Sequence, residues 1–334
     1  MFVRKKLWRK IMVAEKIIYN VALLFIMMLP GIIMKKCRLS VDGFGKGISN
    51  LVLYIAQPAL VFMAYVRPYD KNILINSLYV LALSMVAHGV FSVVAMISYK
   101  KAPDAMRRML RFATIFSNAA FMGMPLIKAV LGAEATVYAS MYNITFNLFL
   151  WSLGVYICTD KRDVNENGIE DDVEHIKQGA SPLKALYHPV TIAAALGLVF
   201  FILPIESYIP ELAINTLENL GNLVAPLSMM VIGLRLAEMD FSGIFKDKYM
   251  YLFLALRHVV LPLVTLGIVK LVGLILPVSE LVEMVIVILA AAPAATSATM
   301  FAEKYDCDAN YVSRLVTVST LLSIVTMPLI IMLV

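Results

Sequence analysis

The sequence predicts an all-α polytopic membrane protein: ten transmembrane helices in two inverted five-helix repeats, with helices four and nine broken and crossing. Three observations lead there. Of 334 residues, 61% are hydrophobic and only 16% are charged, and the mean hydropathy is +0.83. Soluble domains are about 45–50% apolar and about 25% charged, so this chain has too little polar surface to cover itself. Its apolar residues fall in stretches long enough for a bilayer core, which takes about 20 residues per helix. One acidic, non-periodic stretch, "TDKRDVNENGIEDDVEHIKQGASP" (159–182), leaves five such spans before it and five after.

The spans run 13–34, 47–66, 72–99, 109–130, 134–158, 187–204, 211–235, 249–276, 280–302 and 309–334. Residues 1–158 form the first five-helix repeat, 159–186 a cytoplasmic polar loop, and 187–334 the second repeat. The N-terminal "MFVRKKLWRK" is basic but is not followed by a small-residue cleavage site, so it reads as an interfacial tail on an uncleaved first helix. The net charge of +6 does not point to nucleic acid, because the basic residues sit mostly between spans, where they set orientation. Lys and Arg favour the loops after the odd-numbered spans. That places those loops in the cytoplasm and both termini outside a multi-pass cell-membrane protein, with the basic tail running against this orientation. Cys37, Cys158 and Cys307 are scattered without CxxC spacing, which excludes a zinc site and a disulfide framework and leaves three packing residues.

The repeat rests on paired features. "SMVAHGVFSVVAMISYK" (84–100) aligns without gaps to "LALRHVVLPLVTLGIVK" (254–270), matching His88 to His258 and Lys100 to Lys270. Pro58 pairs with Pro226, and the interruption around Asn118 pairs with that around Pro293. Five is an odd number of crossings, so the second half enters from the opposite side and the repeat is inverted.

The two interruptions carry the functional argument. Span four contains Ser117, Asn118, Gly123 and Pro125; span nine, "LAAAPAATSATMF" (289–301), contains Pro293, Thr296, Ser297 and Thr299. Proline removes a backbone donor and clashes with the preceding turn, and the freed groups need partners or a polar cavity at membrane depth. In an inverted repeat both breaks meet near the bilayer centre. The start of each half-helix there exposes N–H groups and partial positive charge, which suits an anion. Ser117, Asn118, Pro293, Thr296 and Ser297 are the candidate site for a carboxylate. Gln57 in span two, and Asn143 and Asn147 on one face of span five, either face the same cavity or bond between helices. His88, Arg257 and His258 lie inside spans and are candidates for a proton or charge relay, against the plainer reading of neutral, satisfied packing groups.

No Walker A, HExxH or GxSxG motif is present, so neither an enzyme nor an ATP-driven pump is expected. No cofactor and no metal site are expected either. No paired-Asp motif lies deep in a span, which disfavours a carboxylate-based cation antiporter.

The segments "CRLSVDGFGKGISNLVLYIAQPALVF" (37–62), "FSNAAFMGMPLIKAVLG" (116–132) and "APAATSATMFAEKYDCDANYVSRLVTVSTLLSIVTMPL" (292–329) resemble the auxin efflux carrier family. That family includes PIN-type auxin carriers and bacterial malate permease-like transporters. The resemblance implies broken helices four and nine crossing at the substrate site, and elevator-type movement against a scaffold of spans one, two, six and seven, often in a homodimer. It places the family's crossover asparagine at Asn118, the second-crossover proline at Pro293, and the helix-five polar residue at Asn147. Ser117 stands where PIN-type carriers have proline, and Ser297 where bacterial members often have asparagine; these departures favour a small organic anion over auxin itself. The expected function is secondary transport of a small carboxylate-bearing organic anion, malate-like or auxin-like. Coupling to H⁺, to Na⁺ or to neither is left open. The alternatives are a sodium- or proton-coupled symporter of the bile-acid-carrier type and a membrane receptor that does not transport.

Overall fold

The structure is a computed structural model that describes residues 15, 18–159, 183–203, 208–238, 247–305 and 307–334. The basic N-terminal tail and most of the predicted polar loop lie outside the described residues. Among those described, the chain is helical throughout and contains no sheet, only one isolated bridge between Ser117 and Ala294.

Among the described residues, seven helices are long and apolar enough to cross a membrane: α1 (Ile18–Lys36), α2 (Phe44–Tyr65), α3 (Lys71–Ser98), α6 (Ala133–Cys158), α8 (Glu211–Glu238), α9 (Lys248–Gly273) and α12 (Ala309–Ile331). Four shorter helices are α4 (Asp104–Ile115), α5 (Ala119–Leu131), α10 (Glu280–Ala291) and α11 (Ser297–Lys304), and they come as two interrupted pairs. The remaining apolar helix is α7 (Pro189–Ile202). Predicted span nine is thus α10 plus α11. Span four is α4 plus α5, and begins at Asp104 instead of residue 109.

Among the described residues, proline follows three of the four π-helical turns, and the fourth, Leu150–Gly154, has none. Pro58, Pro125 and Pro262 each lie two residues beyond a π-helical segment: Val52–Ala56, Ala119–Gly123 and Leu256–Val260. A proline ring clashes with the carbonyl four residues back, and a widened turn relieves that clash without ending the helix. This corrects the expectation for Pro125. It sits inside α5, and the interruption falls earlier, at Phe116–Asn118.

Two groups of helices result. In the first, α7 packs on the C-terminal half of α2, and α8 on α1 and α2. Backbones touch there: a Cβ on Gly31 would collide with the Met230 carbonyl, and one on Gly233 with the Met28 carbonyl, so α1 and α8 fit only as glycines allow. In the second group, α3 packs on α6, α9 on α10, α5 on α6, and α10 on α6 and α12. The groups also pack on each other, α2 and α7 against α6 and α8 against α5, and polar contacts cross between them. Tyr65 Oη lies 2.8 Å from Ser140 Oγ, and Lys128 Nζ donates to Asn222 Oδ1 at 2.8 Å.

None of the three cysteines is in a disulfide. Cys158 is buried, and Cys307 donates to its carbonyl at 3.6 Å, but Cys37 is exposed and does not serve packing.

Candidate functional site

Each broken pair leaves a short extended piece of chain, and the two pieces pair with each other. Asn118 N–H donates to Pro293 O at 2.7 Å, and Ala295 N–H donates to Phe116 O at 2.9 Å. This antiparallel bridge satisfies backbone groups that a broken helix would otherwise strand away from water. Small residues make it possible. Ala290, Ala291, Ala292, Ala294 and Ala295 are all buried, and a Cβ on Gly123 would press on Leu289 across the contact.

The C-terminal ends of α4 and α10 converge on Arg257. Its Nε donates to Ala292 O (3.1 Å), Nη1 to Thr114 O (3.0 Å), and Nη2 to Ala290 O (2.6 Å) and Ala292 O (2.8 Å). Arg257 is wholly buried, and it is the single buried Lys, Arg, Asp or Glu among the described residues. Its planar fork suits this task, because a guanidinium offers five fixed donors. In this structure the donors of Arg257 hold two helix ends.

His258 is equally occupied. Ala294 N–H donates to Ser319 Oγ (2.9 Å), Ser319 Oγ lies 2.8 Å from His258 Nε2, and His258 Nδ1 lies 2.9 Å from Thr326 Oγ1. A neutral imidazole with its proton on Nδ1 satisfies every member of this chain. The plainer reading of His258, a satisfied neutral group, fits this network.

His88 is different. Its Nδ1 donates to Ser84 O at 2.9 Å, while Nε2 is buried without a partner among the rings of Phe91, Tyr142, Phe146 and Phe149. Tyr142 lies next to it, with ring centroids 5.0 Å apart. The Tyr142 phenol lies beside Ser117, and neither hydroxyl meets hydrogen-bond geometry with a partner. At the first break, Ser117 Oγ and Asn118 Nδ2 also lack partners, although the two residues are 1% and 2% exposed.

The other expected residues divide. Pro293 lies in the second break, and its carbonyl is taken by Asn118. Thr296 precedes α11 without a side-chain cap bond, and Ser297 Oγ, at the first position of α11, is unpartnered. Asn143 Nδ2 donates to Met124 Sδ at 2.7 Å, and Gln57 Nε2 to the same sulfur at 3.3 Å, so both lean on α5. Gln57 Oε1 stays unpartnered. Asn147 is buried one turn further along α6. A separate open hollow of about 590 Å³, lined by residues including Arg67, Asp70, Lys71 and Glu134, shares no residue with either break.

Tyr142 and Ser319 were not among the expected residues. Both read as ordinary hydroxyls in apolar helices, and their partners lie far away in sequence. The faint available signal was position, since Tyr142 directly precedes Asn143.

A family model described as membrane transport protein matches residues 16–331. An uncharacterized transporter of Methanothermobacter thermautotrophicus is 25% identical over 309 residues, covering 91% of this chain and 94% of that one. An uncharacterized transporter of Methanocaldococcus jannaschii is 21% identical over 313 residues, covering 92% and 96%. Interrupted, hydrogen-bonded helices in a multi-pass apolar chain and a match over nearly its full length lead to one conclusion: the chain belongs to the membrane transport protein family of auxin efflux carrier-like transporters.

Proposed function

We propose that this protein is a secondary transporter that carries a small carboxylate-bearing organic anion, malate-like or auxin-like, across the cell membrane. The carboxylate sits where the two breaks meet. Asn118 Nδ2 and the hydroxyls of Ser117, Ser297 and Tyr142 donate to it, beside the leading amides of α5 and α11. One observation carries this reading: four buried polar groups without partners gather at and beside the breaks. An unmet buried donor costs about 1–3 kcal/mol, so several at one place are better explained by a ligand that completes them than by chance.

The two halves act as inverted five-helix repeats. The breaks pair across them, and His88 on α3 and His258 on α9 occupy matching positions. The α1, α2, α7 and α8 group serves as scaffold, supported by its glycine-mediated backbone contacts. The group holding both breaks moves against it as an elevator. Because Ser117 and Asn118 are almost fully covered, substrate reaches them only through such a rearrangement.

The test is an Asn118→Ala variant in detergent and in liposomes. Its amide makes no bond that stability depends on, so it folds, and its affinity for a transported carboxylate falls about 10-fold or more. Unchanged affinity and uptake remove Asn118 from the site. Proton coupling has one observation in its favour, the unpartnered His88 Nε2. Uptake measured with and without a proton or sodium gradient separates coupled from uncoupled transport.

A further inference from the structure

The four half-helices have eight ends, and the charged side chains around them follow a pattern. The outer N-terminal ends carry acid in the first turn: Asp104 on α4, and Glu280 and Glu283 on α10. The outer C-terminal ends carry base in the last turn: Lys128 on α5 and Lys304 on α11. The two inner C-terminal ends, of α4 and α10, share Arg257. Six ends are therefore matched by a side chain of the sign that opposes a helix end's partial charge. The two inner N-terminal ends, of α5 and α11, have no acidic residue in their first turn.

Each helix end is equivalent to about half an elementary charge. The partial negative charges of the inner C-terminal ends are neutralised by the Arg257 guanidinium. The two inner N-terminal ends then leave about one positive charge without a counterpart. Arg257 has no carboxylate partner among the described residues; its donors all go to main-chain carbonyls. The same place holds the unpartnered Asn118 Nδ2 and Ser117 Oγ, both belonging to residues more than nine-tenths buried. A buried charge is tolerated when it is paired, so the missing partner is an anion of matching size.

The geometry points to a monoanion: the crossing is balanced for one carboxylate, and Arg257 sets this valence from behind, as a positioning residue that never touches the ligand. This rests on the carboxylate-site reading and narrows it to monocarboxylates over dicarboxylates. A second carboxylate meets no unmatched positive end, and a neutral amide leaves the existing one unmatched.

The experiment uses the purified full chain and a panel of carboxylates paired by skeleton, hexanoate with adipate and 3-hydroxybutyrate with malate among them, together with the primary amide of each monoacid. Binding is read by thermal shift and by displacement of a labelled monocarboxylate. The expected result is that monocarboxylates bind at least about ten-fold more tightly than dicarboxylates of the same skeleton and than their own amides. Dianions binding as well as or better than monoanions overturn the inference and leave the carboxylate site standing. Carboxylates indistinguishable from amides, or no carboxylate binding at all, overturn both. Arg257→Lys and Arg257→Gln separate charge from architecture. Lys retains the preference for acid over amide, and Gln lowers that ratio. A purely structural arginine weakens acid and amide binding equally, and that result also sinks the inference. The ligand series on the unmodified protein decides the matter even if both variants fail to fold.

Discussion

The two breaks are alike in shape and opposite in how their polar groups are used. Around the second, Ala294, Ser319, His258 and Thr326 form a closed chain of hydrogen bonds. Around the first, Ser117, Asn118, Tyr142 and His88 are equally buried, yet each keeps an atom without a partner. Ser297 Oγ is the corresponding open group beside the second break. The difference teaches that two breaks can share a backbone geometry without sharing its chemistry. One break is fastened to the protein and the other keeps its donors open, which is what a binding element needs beside a rigid reference.

The comparison can be broken by stability measurements in detergent. The largest effect belongs to the element both breaks share. Arg257→Met strands the carbonyls of Thr114, Ala290 and Ala292, and should destabilise by about 3 kcal/mol or more; a near-neutral result would mean those carbonyls find other partners. Next is His258→Phe, which orphans the Ser319 hydroxyl and loosens the Ala294 amide, for an expected loss of about 1–3 kcal/mol in unfolding experiments. Tyr142→Phe deletes a hydroxyl that meets no hydrogen-bond geometry, so stability should hold within about 0.5 kcal/mol while carboxylate affinity falls several-fold. A destabilised Tyr142→Phe would show that the phenol has a structural partner. His88→Phe is expected to be mild as well. The ring fits an aromatic cage and loses only a helix-internal bond to Ser84 O, so stability changes by less than about 1 kcal/mol. Equal costs for His88→Phe and His258→Phe would erase the contrast between the halves.

Much of the fold was legible in the sequence because hydrocarbon imposes one rule on every span. Apolar length fixed the long helices to within a few residues, and "LAAAPAATSATMF" announced its interruption through Pro293. The first break falls where the interruption around Asn118 was expected, but Pro125 takes no part in it. Pro125 is the conspicuous helix breaker, but a π turn absorbs it, and the chain opens at Phe116–Asn118, where no residue forbids a helix. The side chains of the site were legible only as a list. Arg257 is noticeable as a charge within a span, but its partners are main-chain carbonyls, which leave no trace in residue identity. His88 and His258 look equivalent in alignment. They differ because Ser319 and Thr326 lie 61 and 68 residues beyond His258, whereas aromatic rings surround His88.

The bridge between the breaks also has a kinetic consequence. The amide protons of Asn118 and Ala295 are each committed to a carbonyl of the opposite half, and both residues are almost wholly covered. They exchange with deuterium only when the two halves part. If the breaks travel together through every turnover, these two amides keep their protons however fast the carrier works. If transport pries them apart, each cycle offers both protons to solvent, and their exchange rate rises in step with flux. Two backbone amides thus act as a clock for the transport cycle, and it advances only if the joint between the halves opens.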